Sequence, residues 1–316
     1  KNNFHMKIDF PNNSEKKILL DVSRNQKNLI YFGRKVGYSH PKIYDIMFET
    51  YRNFRMLKYF GFKNYFFGST KGKVDFLIVG FSKSGTSSLY QYLKQHPKIF
   101  GPWIKEPHFF SYGYNKGLNY YRKNFRFHKD SMHFESSTDY IVYPEIFKRI
   151  KKYNPQMKFI VCLRNPVEQV YSSFNDMKQA GTELNSFEGV LSEENFRKTL
   201  HLKRIKNKIY TNQKIPIHLP YLYFAEYYTH IKTAFEIFER QNFFFVDSKE
   251  LNNDTKNIVK KILDFLDLEK IEINSERYNV KKYEQKMSPE MRVKLSEHFE
   301  PFNNKLESLL NQKFDW

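Results

Sequence analysis

The sequence predicts an α/β fold: a central parallel sheet with helices on both faces. Short apolar runs of strand length alternate along the chain with amphipathic segments of helix length. Within the runs the apolar residues are continuous, which is typical of parallel strands buried on both faces. A chain that alternates strand and helix in this way is expected to build one sheet covered on two sides.

The first predicted strand, Val74 to Val79, leads into a turn with two glycines and then into the segment SGTSSLYQYLKQHP. Leu89 and Leu93 have helical spacing there, and Pro97 ends the predicted helix. A loop rich in Tyr and Phe follows. The next elements are a short strand at 132–135 and a helix at 144–153 that opens with proline.

The second half continues the alternation. Lys158 to Leu163 predicts another buried strand, and PVEQVYSSFNDMKQ predicts a helix with Pro166 in its first turn. Residues 220–240 predict one long helix, and NFFFV predicts a third core strand. Asp247 and Glu250 have capping-box spacing for a helix that continues through Phe265.

The chain divides into two parts. Residues 1–70 predict an N-terminal helical extension of unknown role, because residues 39–60 place apolar side chains at helical spacing. Residues 71–316 predict the single α/β domain. Among 316 residues, 40% are hydrophobic and 18% aromatic, so the composition predicts a globular core. No apolar run approaches the ~18 residues that a membrane span needs, so no transmembrane segment is expected.

The net charge and the cysteine count restrict the partners and the compartment. Lys and Arg number 53 against 34 Asp and Glu, a formal charge of +19. This excess suggests a nucleotide, an anionic glycan, nucleic acid or an anionic membrane face as partner, although a solvated basic surface explains it equally well. The single cysteine, Cys162, allows no internal disulfide, and the start has no signal-peptide pattern. We therefore expect a reduced, cytoplasmic compartment, and a trimmed targeting segment stays open.

The first chemical motif is FLIVGFSKSGTSSLY, residues 76–90. A strand, a turn with Gly85 and a helix start rich in hydroxyls offer backbone N–H groups to a phosphate. An ATP-binding P-loop places Lys directly after the second glycine, whereas here Thr86 follows Gly85 and Lys83 precedes it. The motif therefore predicts an anion-binding loop other than the ATP-Mg²⁺ type.

The second motif is KFIVCLRNPVEQVYSSF. It places Arg164 after a strand and Ser172 two turns into the next helix, a guanidinium and a hydroxyl that suit a second phosphate. Together, KSGTSSL and LRNPVEQVYSSF resemble the 5′-phosphosulfate loop and the 3′-phosphate motif of sulfotransferases that use 3′-phosphoadenosine 5′-phosphosulfate (PAPS). The resemblance implies a P-loop-like sulfotransferase fold, PAPS as donor and PAP, its desulfated form, as product.

Within that family the chain resembles the heparan sulfate branch, particularly the glucosaminyl 3-O type. KEPHFF at 105–110 is similar to a segment whose glutamate is the catalytic base beside a histidine, which implies these roles for Glu106 and His108. The late loop that closes over the nucleotide corresponds to NVKKY, which implies Lys281 and Lys282 as donor contacts. The disulfide common near that loop cannot form here. ESSTDY stands where the family often has E-K-[ST]-P-x-Y, so Ser136 replaces a lysine and acceptor choice stays open.

These resemblances imply a mechanism. Lys83 would stabilise the leaving phosphate, and the loop residues after it would hold the 5′-phosphate at the helix N-terminus. Glu106, with Trp103, Phe109 and Phe110 near it in sequence, is expected to have a pKa raised by burial. Arg164 and Ser172 would grip the 3′-phosphate. The predicted loop contacts are Lys83, Ser84, Gly85, Thr86, Ser87 and Ser88.

Several alternatives stay open from sequence. The acceptor is expected to be a glycan, with a small hydroxylated metabolite as runner-up. A small-molecule kinase would require Mg²⁺ and ATP, against which the lysine position argues. A non-catalytic binder of polyanions would explain the charge, although no specific nucleic-acid partner is expected. His, Cys and carboxylates nowhere show metal-ligand spacing, so no metal requirement is predicted.

Overall fold

The computed structural model describes residues 72–206, 219–276 and 286–316. A five-stranded sheet organises these residues. Its strands are β1 (Phe76–Gly80), β2 (Ile99–Phe100), β3 (Met132–Ser136), β4 (Lys158–Leu163) and β5 (Phe243–Asp247). Their spatial order is β2-β3-β1-β4-β5, and every neighbouring pair is parallel. The predicted fold class is confirmed.

Helices connect the strands and cover the sheet. In chain order they are α1 (Thr86–Leu93), α2 (Gly117–Arg122), α3 (Pro144–Tyr153), α4 (Pro166–Gln179), α5 (Phe187–Ser192), α6 (Glu194–Lys206), α7 (Tyr221–Ala225), α8 (Tyr227–Phe235), α9 (Ser248–Asn253), α10 (Thr255–Phe265) and α11 (Pro289–Leu310). A π-helical turn, Phe109–Gly113, precedes a short 3₁₀ turn before α2.

Successive strand residues face opposite cores, as the two-residue period of a strand requires. In β1, Leu77 and Val79 join a core that includes residues of α3, α4, α8 and α11. Phe76 and Ile78 join a second core with residues of α1 and α10. All four side chains are fully buried. Both faces of β1 are therefore covered, which explains why its apolar run is continuous.

The strand order places a topological switch point between β1 and β4. From β1 the chain crosses to the edge at β2 and returns to β3, whereas from β4 it continues outward to β5. Ligands of open α/β sheets bind in the crevice that such a switch leaves at the carboxyl ends of the strands. Both predicted phosphate-binding segments follow these two strands directly.

The prediction of one long helix over residues 220–240 is wrong. The chain forms two helices there, α7 and α8, and the break between them lies at Glu226, which has φ −74° and ψ 65°. Glu226 is buried and accepts hydrogen bonds from the Lys198 ammonium at 3.0 and 3.1 Å. This interaction with α6 holds Glu226 outside helical geometry, and tertiary contacts of this kind commonly override helical periodicity.

The helix predicted from Asp247 through Phe265 is also two helices. Asp247 caps α9, with its carboxylate accepting from the N–H groups of Lys249 and Glu250. The chain then breaks at Asp254, which caps α10 separately. The Tyr- and Phe-rich loop contains α2, and α5 and α6 were not predicted.

Two further observations concern the buried cysteine and the termini. Cys162 lies fully buried in β4, and burial raises the pKa of its thiol to about 12. The predicted extension over residues 1–70 lies outside the described residues and stays a prediction. Across 72–206, 219–276 and 286–316, no helix combines the length and apolarity that crossing a membrane would need.

Candidate active site

A polar cavity of about 910 Å³ opens at the switch point. Its lining comes from the loop after β1 and the start of α1, the loop before the Phe109 turn, the loop after β3, the end of β4 with α4, α9 and the last two residues. The lining residues are Ser82, Lys83, Gly85, Thr86, Ser87, Ser88, Glu106, Thr138, Arg164, Asn165, Glu168, Ser172, Asp176, Ser248, Lys249, Asn252, Asn253, Asp315 and Trp316. Most of the predicted site residues therefore border one cavity.

The loop after β1 turns sharply to bring the N-terminus of α1 to the cavity. Lys83 has φ 67° and Gly85 has φ 89°, both in the left-handed region that favours glycine. Gly85 is the N-cap residue of α1 and has no side chain to accept from the first N–H groups of the helix. Those N–H groups and the hydroxyls of Ser87 and Ser88 are placed where an anion is stabilised.

Lys83 is paired with a carboxylate that sequence reasoning missed. Its ammonium donates a hydrogen bond to Asp176 Oδ1 at 3.2 Å, and each side chain is 20% exposed. Asp176 lies on α4, one turn beyond Ser172, and it also lines the cavity. The cation predicted to stabilise a leaving group therefore has an acidic neighbour inside the site.

Arg164 links the two phosphate-binding segments. Its guanidinium donates to the backbone oxygen of Lys83 at 3.1 Å and lies 3.7 Å from Glu168 on the next turn. Glu168 also pairs with Arg292 of α11. Asn165 caps α4 by accepting from two N–H groups, which orients the helix that carries Ser172. Arg164 and Ser172 both border the cavity.

Glu106 reaches the cavity from a loop with unusual backbone geometry. Glu106 has φ 61° and His108 has φ 50°, both left-handed without being glycine. The Glu106 carboxylate forms a short ion pair with Lys105 and lies 3.7 Å from His108 Nε2. Burial would raise the pKa of Glu106, but the interaction with His108 and the charge of Lys105 outweigh burial and lower it to about 2. The expectation of a raised pKa is wrong.

His108 lies behind Glu106 and is not part of the cavity lining. Its Nδ1 is 2.7 Å from Asp139 Oδ1, so Glu106, His108 and Asp139 form a line of alternating charge. Burial would lower the pKa of His108, but the Asp139 carboxylate and Glu106 outweigh burial and raise it to about 10. The imidazole is therefore a cation at neutral pH that donates a hydrogen bond to Asp139 and forms an ion pair with Glu106.

The aromatic residues near Glu106 in sequence point elsewhere. Phe109 stacks on Tyr121 at a centroid distance of 4.4 Å, and Phe110 packs edge-on against Tyr140 at 5.7 Å. Both phenylalanines are buried in the core that covers one face of the sheet. They anchor the loop from below, and the pKa of Glu106 is low because His108 and Lys105 outweigh the effect of its burial.

Other predicted positions behave differently. Ser84 is fully buried beneath the loop and does not border the cavity. Lys281 and Lys282 lie outside the described residues, and their contact with the donor stays a prediction. Ser136, at the position of the family lysine, is fully buried in β3 and supplies no cation to the site.

Sequence reasoning missed several residues of the site and its surroundings. Asp139, in the ESSTDY segment, does not line the cavity but contacts His108 behind Glu106. Lys249, Asp315 and Trp316 come from distant parts of the chain, and Trp316 donates its indole N–H to Asp247 Oδ2 at 2.6 Å. Only the position of ESSTDY at the carboxyl end of a predicted strand could have identified one of these residues in advance.

Within the described ranges, no three or more His, Cys, Asp or Glu side chains are grouped so that they could hold a metal ion. The prediction that the reaction needs no metal stays a prediction.

Comparison with known proteins decides the family. Residues 73–308 match the model of the sulfotransferase domain family. The chain belongs to this family. The sulfotransferase is 27% identical over 265 residues to human heparan sulfate glucosamine 3-O-sulfotransferase 6, covering 76% of this chain and 72% of the relative.

Two further relatives extend the comparison. A bifunctional heparan sulfate N-deacetylase/N-sulfotransferase 1 from Caenorhabditis elegans is 24% identical over 204 residues, 63% of this chain and 22% of that protein. The crystal structure of a sulfotransferase from Alicyclobacillus acidocaldarius superposes with a TM-score of 0.64 at 25% identity, covering 77% of this sulfotransferase and 98% of that chain. Family membership favours a transferase over the kinase and the non-catalytic binder.

Proposed function

We propose that this sulfotransferase transfers the sulfuryl group of PAPS to a hydroxyl of a glycan related to heparan sulfate, with Glu106 as the proton acceptor. One observation carries the proposal: a single cavity joins the N-terminus of α1, Arg164 with Ser172, and Glu106. The relatives named for heparan sulfate support the acceptor class.

The cavity suits a donor with two separate phosphate groups. The α1 N-terminus supplies backbone N–H groups and a positive helix end for the 5′-phosphosulfate. Arg164 and Ser172, on the neighbouring strand end and α4, would hold the 3′-phosphate. Arg164 also donates a hydrogen bond to the backbone oxygen of Lys83. Binding of the 3′-phosphate by Arg164 would therefore also fix the loop that binds the 5′-phosphosulfate.

The transfer moves one sulfuryl group in line. The acceptor oxygen bonds to sulfur, and the bond from sulfur to the bridging phosphate oxygen breaks. The hydroxyl proton passes to the Glu106 carboxylate, and negative charge grows on the departing phosphate. Lys83 and the α1 N-terminus are positioned to stabilise that charge, a contribution that increases during the reaction and so lowers the barrier.

The ionisation of the Glu106–His108 pair shapes the proton step. With a pKa near 2, Glu106 is ionised throughout the physiological range and is always ready to accept, though it is a weak base. Attack on sulfur makes the hydroxyl proton strongly acidic, so a weak base suffices late in the step. His108, kept cationic by Asp139, orients the carboxylate and is not itself a base.

A radiolabel assay tests the proposal. The protein is incubated without metal with ³⁵S-labelled PAPS and with N-sulfated heparosan, desulfated chondroitin or a small phenol. We expect label in the heparosan product and a loss of at least 100-fold in Glu106→Gln, as expected when an acid–base group is removed.

Glu300→Gln is the matched control, because Glu300 is an exposed carboxylate on α11 outside the cavity. It should retain wild-type rates. Label only in the phenol would replace the glycan with a small metabolite. No transfer to any acceptor, or an unaffected Glu106→Gln variant, would refute the proposed mechanism.

A further inference from the structure

A carboxylate with no place in the mechanism lies fully buried at the carboxyl end of β3. Glu135 is 0% exposed, and no cation pairs with it among the described residues. Three hydroxyls donate to it instead: Tyr121 at 2.9 Å and Tyr140 at 3.0 Å to Oε1, and Ser137 at 2.6 Å to Oε2. Burying a carboxylate is costly, and hydroxyl donors offset only part of that cost, so its retention calls for a reason.

Two of these hydroxyls also hold the loop that carries Glu106. The Ser137 hydroxyl oxygen accepts from the backbone N–H of His108 at 3.1 Å. The Tyr140 hydroxyl oxygen accepts from the backbone N–H of Phe110, also at 3.1 Å. Each hydroxyl therefore joins Glu135 on one side to the loop on the other.

The carboxylate sets the direction of these bonds. A hydroxyl has one proton, and an ionised carboxylate can only accept. Glu135 therefore draws the protons of Ser137 and Tyr140 toward itself and leaves their lone pairs facing the loop. A neutral amide in its place would donate from one end, so one hydroxyl would have to turn its proton toward a backbone N–H and lose that contact.

The loop needs such support because its backbone is strained. Glu106 has φ 61° and His108 has φ 50°, although neither is glycine, and left-handed residues of this kind cost about 1 kcal/mol each. This geometry brings the Glu106 carboxylate to the cavity while Phe109 and Phe110 remain in the core. The hydrogen bonds to the backbone N–H groups of His108 and Phe110 stabilise this strained geometry.

We propose that Glu135 is a positioning residue that acts through the Ser137 and Tyr140 hydroxyls to hold the 105–111 loop with Glu106 facing the cavity. The inference rests on the proposed role of Glu106 as proton acceptor. Glu135 itself touches neither substrate nor the cavity.

Amide hydrogen exchange measured by mass spectrometry tests the loop directly, without donor or acceptor. We expect exchange at residues 106–112 to rise at least tenfold in Glu135→Gln, Ser137→Ala and Tyr140→Phe, because each removes a bond that holds the loop. Tyr153→Phe is the matched control: the Tyr153 hydroxyl also accepts from a backbone N–H, that of Val74, at 2.8 Å. It should leave the loop unchanged.

Kinetics separates positioning from general stability. In the three loop variants kcat should fall at least tenfold, while the Kd for PAP stays within twofold and the acceptor KM within threefold. Unchanged loop exchange, or parallel losses of kcat and PAP affinity, would overturn the inference. If Glu135→Gln does not fold, the two single-hydroxyl variants decide. A wild-type protein that neither binds PAP nor transfers label would refute the proposed function and leave the exchange comparison valid.

The pH profile gives a third readout. Burial raises the pKa of Glu135 to about 7 despite the hydroxyl donors, so protonation below pH 7 should loosen the loop and lower kcat in the wild type but not in Glu135→Gln. An unchanged profile in the variant would contradict the inference. The other titratable groups that face Glu135 have pKa values raised away from neutrality: Tyr90, Tyr121, Tyr140, Tyr153 and His108.

Discussion

Replacing Asp139 with asparagine should change the ionisation of His108. The Asp139 carboxylate lies 2.7 Å from His108 Nδ1, the distance of a charge-assisted hydrogen bond. His108 has its pKa raised to about 10 because this carboxylate and Glu106 outweigh its burial. Asparagine keeps the shape of the side chain and removes the negative charge, so the imidazolium loses its strongest partner.

The size of the effect follows from the strength of that bond. Hydrogen bonds to charged groups contribute about 1.5–3 kcal/mol, and 1.4 kcal/mol corresponds to one pH unit in a pKa. The pKa of His108 should therefore fall from about 10 to roughly 8 in Asp139→Asn. Neutral His108 no longer stabilises ionised Glu106, so the alkaline limb of kcat should move down by the same amount.

NMR titration of protein labelled at histidine Cε1 measures this pKa, with His108→Gln assigning the resonance among the 10 histidines. His128→Gln is a control at a half-buried imidazole that stacks on Phe100, and its loss should leave the titration of His108 unaffected. A wild-type His108 that titrates near 6.5, or an Asp139→Asn variant in which the pKa of His108 equals the wild-type value, would refute the line of alternating charge formed by Glu106, His108 and Asp139.

Three further predictions follow from the same geometry. Asp176→Asn should tighten PAP binding about fivefold in calorimetry, since the substitution removes roughly 1 kcal/mol of repulsion between the carboxylate beside Lys83 and the bound anion. Weaker PAP binding in this variant would contradict the prediction. Gly85→Ala and Gly117→Ala should each lower the free energy of unfolding by about 1 kcal/mol in thermal unfolding, because both glycines have positive φ. Only Gly85→Ala should weaken PAP binding, and equal PAP affinity in the two variants would contradict anion binding at the N-terminus of α1. Folding raises the pKa of Glu135 from 4.5 to about 7, so the protonated carboxyl stabilises the fold below pH 4.5 and this stabilisation is lost as the pH rises through 7. In denaturant titrations between these pH values, the free energy of unfolding of the wild type should fall by on the order of 3 kcal/mol relative to that of Glu135→Gln. A difference between the two proteins that does not change with pH would contradict this prediction.

The fold could be predicted because its signals are local. β4 and α4 begin and end at the predicted residues, since a buried parallel strand leaves a continuous apolar run and Pro166 marks a helix start. The breaks at Glu226 and Asp254 could not be predicted. An ion pair between Glu226 and Lys198 depends on how separate helices meet, which no local pattern records.

The site divides in the same way. Lys83, Gly85 and Arg164 belong to contiguous motifs at strand ends, so sequence placed them at one edge of the sheet. The low pKa of Glu106 depends on His108 and Lys105, and the charge of His108 depends on Asp139 from another loop, whereas sequence alone suggested the opposite direction for Glu106. Electrostatic environment is a property of tertiary contact, whereas the motif only names the carboxylate.

Calorimetric titration with PAP, compared with ATP and Mg²⁺, tests the central claim most directly. The account predicts micromolar PAP binding that needs no metal and that weakens at least 100-fold in Arg164→Ala, because the guanidinium that grips a phosphate contributes several kcal/mol. Absence of PAP binding, a preference for ATP with Mg²⁺, or an unaffected Arg164→Ala variant would contradict a PAPS-dependent donor site in this cavity.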